Sequence, residues 1–177
     1  MTSMPVLAVV LLASSGMFLQ EEDPASLLKK TGYTLKEAID KAAKEGGGAT
    51  VVVAELEEGA NGRALYAVEF AQGDKVLEVK LDAKTGELVK KEIEDEDRSA
   101  VAKACKISLS QAIQTALQKV PGLAFSAEAV MEHEKPEIEV QILSEGKVYK
   151  VELDPATGAI TKVKTRKSDA EKKEGNK

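Results

Sequence analysis

Cysteine occurs once in the 177 residues, at Cys105, so no disulfide can close within the chain. Tryptophan is absent and aromatic residues make up only 3%, which leaves the core to Val, Leu, Ile and Ala. Histidine also occurs once, at His133 between Glu132 and Glu134. Zinc wants several nitrogen or sulfur ligands, and a general base wants an oriented partner and a nucleophile, so neither site can be assembled around it. Phosphate-cradling glycine loops, dinucleotide fingerprints, nucleophile elbows and paired-histidine helix motifs are missing. Gly46–Gly48 is glycine-rich but ends a helix pattern where a phosphate loop begins one. No catalytic, cofactor or metal residues are therefore assigned, and an enzyme is hard to build from this inventory.

Excess positive charge is lacking too. Twenty-five Lys and Arg stand against 30 Asp and Glu, a net charge of -5 with both signs interspersed, which suits a solvated surface and not duplex nucleic acid. The longest apolar run, Val6 to Leu19, is broken at residues 13–16 and falls short of the ~18 residues of a membrane span. Residues 1–20 carry no charged side chain, and the small residues Ala13 to Gly16 fit a signal peptidase site, so this segment is expected to be a cleaved signal peptide or, failing that, an N-terminal anchor. Extracytoplasmic localisation, periplasmic or secreted, follows, with membrane contact only through an uncleaved segment.

What the chain does contain, it contains twice. YTLKEAI at residues 33–39 returns as ISLSQAI at 107–113, and KLDAKTG ending at Gly86 returns as ELDPATG ending at Gly158. The unit is a module of about 60 residues and not a short solenoid repeat. Thr34 with Glu37, and Ser108 with Gln111, form capping boxes in which side chain and backbone satisfy each other's orphan donors. Behind them Leu35, Ala38, Ile39 and Ala42, and then Leu109, Ala112, Ile113 and Ala116, make one apolar stripe per helix. Period two then replaces period 3.6, as in Tyr66, Val68, Phe70 and Ile138, Val140, Ile142, giving about four strands per module. Short connections make the strands antiparallel. Asp82 with Gly86, and Asp154 with Gly158, are structural turns: Asp accepts from amides ahead of it and Gly supplies the left-handed residue.

The expected fold class is α+β, two repeated modules each with one helix on a four-stranded antiparallel sheet. The expected organisation is a leader (1–20), a flexible spacer (21–32), module one (33–93), an acidic hinge (94–106), module two (107–165) and a disordered charged tail (166–177). The sheet face away from the helix, carrying Glu69, Glu78, Lys80, Glu137, Glu139, Lys150 and Glu152, is expected to stand open to solvent or a partner.

The capped helix with its Ala-Ile pair (Ala38 with Ile39, Ala112 with Ile113), the ValProGly stop at Val120–Gly122 and the two Asp-x-x-Thr-Gly turns resemble the PepSY domain, from Tyr33 to about Thr165. Module one departs from the pattern in ending its helix on Gly46–Gly48. The resemblance implies an extracytoplasmic, non-enzymatic module that binds a protein or peptide, with restraint of a peptidase as the implied role. Two other classes fit the residues: an ion or small-ligand sensor using the acidic hinge and the carboxylate-rich faces, and a structural envelope protein.

Overall fold

The computed structural model describes residues 23–166; the expected leader and most of the charged tail lie outside them. The elements run α1 (Pro24–Leu28), α2 (Leu35–Ala42), β1 (Thr50–Glu58), β2 (Ala64–Gln72), β3 (Lys75–Asp82), β4 (Leu88–Glu94), α3 (Ser99–Ala104), α4 (Leu109–Lys119), β5 (Leu123–Glu132), β6 (Lys135–Ser144), β7 (Lys147–Leu153) and β8 (Ile160–Arg166).

Both capping boxes form. The Thr34 backbone N–H donates to Glu37 Oε2 at 2.7 Å while the Glu37 N–H donates to Thr34 Oγ1 at 3.3 Å. Ser108 and Gln111 repeat the exchange at 2.9 and 3.2 Å. The caps aim the apolar stripes of α2 and α4 at the sheet, where Ala38, Ala42, Ala112 and Ala116 are fully buried. Small side chains at those positions let the helix backbones approach the strands closely, and the larger Leu35, Ile39, Leu109 and Ile113 fill the space beside them.

The eight strands form one antiparallel sheet in the order β4-β3-β2-β1-β5-β6-β7-β8. The chain is therefore α+β, with the strands of both repeats in one sheet. β1 and β5 make the join, and Ala54 lies opposite Ala127. These two are repeat counterparts: each follows a bulge, at Val52 or Phe125, and each pairs on its other side with a counterpart valine, Val68 or Val140. A residue facing its own counterpart across an antiparallel pair marks a pseudo-twofold axis perpendicular to the sheet. α2 reaches past β1 to β5, and α4 past β5 to β1, so one hydrophobic core spans both halves.

Two linking segments differ from expectation. The spacer holds α1, because Asp23 caps its N-terminus, Pro24 presets the first helical φ and Leu27 is buried in the core. The hinge is pinned and not loose: Lys75 Nζ lies 2.7 Å from Asp95, Arg98 Nε 2.7 Å from Glu96, and the Ser99 N–H donates to Asp97 at 2.8 Å before α3 buries Val101. α3 stands in the second half where α1 stands in the first. No helix among the described residues is long and apolar enough to cross a membrane.

Both Asp turns form with the same bonds. Asp82 Oδ1 accepts from the N–H of Lys84 and Thr85 at 2.9 and 2.7 Å, and Asp154 Oδ1 from Ala156 and Thr157 at 3.0 and 2.7 Å. Gly86 and Gly158 sit at φ of 79° and 75°, where a side chain is strained. Asp82 gains Arg63 Nε at 2.6 Å, and its backbone amide bonds with this ion pair hold its carboxyl down at about 2. With one oxygen given to amides and the other to Arg63, Asp82 has little left for a cation.

Candidate functional site

The two faces of the sheet have opposite characters. One lies under the helices; the other, here the outer face, carries the side chains that alternate with the core. All seven face residues expected from sequence are on it. Strand register adds Glu55, Glu57, Glu92, Glu94 and Glu128, which the repeat comparison did not single out.

Pairing register places these groups in a row across the strands: Glu92 opposite Glu78, Glu78 opposite Glu69, Glu69 opposite Val53, Val53 opposite Glu128, Glu128 opposite Glu139, and Glu139 opposite Glu152. Six glutamates thus cross seven strands at ~4.8 Å per strand, interrupted once at the pseudo-axis. Like charges directly opposite one another destabilise a sheet. Cations offset part of this cost. Lys80 Nζ reaches Glu57 at 2.8 Å and Glu78 at 3.1 Å, Lys150 Nζ reaches Glu139 at 2.5 Å, and Lys164 pairs with Glu152. Arg98, from the linker, reaches across to Glu128 at 2.9 Å.

The face is less open than sequence suggested. Glu78 and Glu152 are only 7% and 4% exposed, because neighbouring strands and the Lys side chains close over them. Glu69, Glu137, Glu139, Lys80 and Lys150 are half-buried. Compensation is also incomplete. Glu69 Oε2 and Glu137 Oε1 are buried oxygens with no hydrogen-bond partner. Burial pushes Glu69 up to about 7; Arg98 pulls the other way and Glu96, Glu94 and Glu55 add to the rise. Burial also raises Glu55, with Glu57 and Glu128 adding, and raises Glu137, with Glu152 and Glu132 adding.

The pseudo-axis relates places of unlike charge. In register, Glu78 and Glu92 of the first half correspond to Lys150 and Lys164 of the second, and Lys80 corresponds to Glu152. Two carboxylate triads converge within 4.8 Å among the described residues, Glu78 with Glu92 and Glu94, and Glu132 with Glu137 and Glu139. They are the places where a cation could be held, although Lys80 and Lys150 already serve one carboxylate of each. The hinge carboxylates Asp95, Glu96 and Asp97 do not converge, each having its own partner.

His133 lies in the β5–β6 turn at φ 49°, its ring 90% exposed and 4.0 Å from Glu132. Cys105 is half-buried after α3, and burial pushes its thiol up, away from reactivity. Neither has a neighbour with which to do chemistry among the described residues.

No curated protein matches the sequence. A crystal structure from Clostridium difficile 630, described as that of a candidate lipoprotein, is 19% identical, covering 79% of this chain and 97% of that one with a TM-score of 0.48. The PepSY family, described as "Peptidase propeptide and YPEB domain", matches residues 32–92 and 106–164, one stretch in each repeat. The two stretches start at the capped helices, end in the last strands and together take in more than half of the chain, which belongs to the PepSY family as a tandem pair of domains.

Proposed function

We propose that the protein is an exported, non-catalytic binding module, a duplicated helix-and-four-strand unit whose outer face engages a protein or peptide. The observation that carries this reading is the glutamate row, with a partnerless oxygen at Glu69 in the row and another at Glu137 beside it: a surface built against its own electrostatics is completed by a cationic segment laid across it. An extracytoplasmic peptidase is the partner class that the family's description favours. The uncharged apolar run from Val6 to Leu19, outside the described residues, supports export.

The test immobilises the chain, passes native extracytoplasmic proteins over it and follows peptidase activity in the flow-through. The same is done with Glu69→Lys/Glu139→Lys, which reverses two points of the row. Retention of a peptidase by the natural chain, lost in the variant, supports the reading. Equal retention by both chains, or none by either, removes it.

A further inference from the structure

β4 is one of the two edge strands of the sheet, so one row of its backbone N–H and C=O groups has no partner strand. Natural sheets protect such an edge with charge, bulges or a covering element. Here the protection is uneven. Among the described residues six large hydrophobic side chains are exposed, and three of them, Leu88 (50%), Val89 (41%) and Ile93 (56%), lie on β4. α2 packs chiefly on β1, β2 and β3.

The charges of β4 are self-complementary. On the outer face Lys90 and Glu92 stand two residues apart, with Nζ and Oε1 2.6 Å from each other. If a second β4 is laid antiparallel to the first with Lys91 facing Lys91, Lys90 meets Glu92 and Glu92 meets Lys90 on the two sides of a twofold axis, and the bulge at Val89 ends the regular register beyond them. The single like-charge contact, at Lys91, is already neutralised by Glu45 at 3.1 Å on the helix face. β8, the other edge, cannot do this: it carries Lys162 and Lys164 and no carboxylate, so two copies meeting there set cation against cation.

We propose that β4 is a docking edge for a second copy of this chain, pairing antiparallel about Lys91 to form a closed twofold dimer with a continuous sheet. This surface shares only Glu92 with the outer-face row and leaves the row's other five glutamates free for a partner. An isologous interface limits assembly to two copies. The opposite-charge pairs set the register, because a slip of two residues puts Glu92 against Glu92 or Lys90 against Lys90.

Sedimentation of the full chain over a concentration series tests the proposal. A dimer is expected, with association weakened at least about tenfold by Lys90→Glu, which removes two pairs and opposes like charges. The double variant Lys90→Glu/Glu92→Lys restores the pairing with signs exchanged, and its dimer recovers to near the natural strength. Recovery separates a true facing pair from damage to the strand. In a Cys105→Ser background, Lys91→Cys forms an intermolecular disulfide under mild oxidation, since residues opposite at the axis lie within disulfide reach. A monomer at all concentrations up to ~100 µM overturns the proposal. So does growth beyond two copies, which points to β4 meeting β8 head to tail with Glu92 near Lys164, and so does a double variant no stronger than Lys90→Glu alone.

Discussion

Replacing Glu69 by Gln stabilises the fold at neutral pH, and the gain shrinks as the solution is acidified. Glu69 sits between Glu78 and Val53 on the outer face with one buried oxygen unpartnered, and burial raises its pKa from 4.5 to about 7. A folded-state pKa above the unfolded one means that the folded chain holds this proton more tightly. The stability linked to the proton is therefore complete below about pH 4.5 and is lost as pH rises through 7. At about 1.4 kcal/mol per pH unit the ceiling is about 3 kcal/mol. Water reaches roughly half of the side chain, which lowers the expected effect to about 1–2 kcal/mol. Glutamine keeps the shape and carries no charge, so Glu69→Gln gains that amount at pH 8 and close to nothing at pH 5. Urea unfolding of both chains at the two pH values, with unchanged m, measures it. An equal difference at both pH values, or a loss at pH 8, refutes the claim that Glu69 is held charged against its surroundings.

Other outcomes follow from the core, the caps and the turns. Thr34→Ala and Ser108→Ala each remove a capping box and cost about 1 kcal/mol in chemical denaturation. Ile113→Ala, at a fully packed site, costs about 2–5 kcal/mol, and because one core spans both halves, hydrogen exchange quickens in β2 and β6 together. Asp82→Asn lowers the thermal midpoint more than Asp154→Asn, because only Asp82 also holds an arginine. The ionised Asp82 carboxylate stabilises the fold above the ordinary carboxylate range, and that contribution is lost as pH falls toward 2, which an acid-unfolding curve of the two variants reads directly.

Much of the fold is local and was legible for that reason. Thr34 and Glu37 lie three residues apart, as do Ser108 and Gln111, and their bonds form within one helical turn. The Asp-to-Gly turns need only five consecutive residues. The join was not legible, because Ala54 opposite Ala127 brings together residues 73 positions apart with no charge or turn signal at either. The same distance hid the glutamate row. Glu55 and Glu128 alternate with core residues like any strand glutamate, and only the β1·β5 pairing shows that they belong to one surface with Glu69 and Glu139. α1 was hidden behind the acidic residues Glu21, Glu22 and Asp23 and its own Pro24, although Leu27 and Leu28 carried the apolar signal.

The pairing of Ala54 with Ala127 makes this chain the covalent equivalent of a homodimer: two half-molecules meet through the same strand in each, and a tether joins them. That tether runs from the end of β4, at the sheet edge, back to α3 beside β1 and β5, about three strand spacings or roughly 14 Å. Its work is kinetic and entropic, keeping one half in the neighbourhood of the other at high effective concentration. Severed between Asp95 and Asp97, the two halves become separate partners whose reunion depends on how much of each is present.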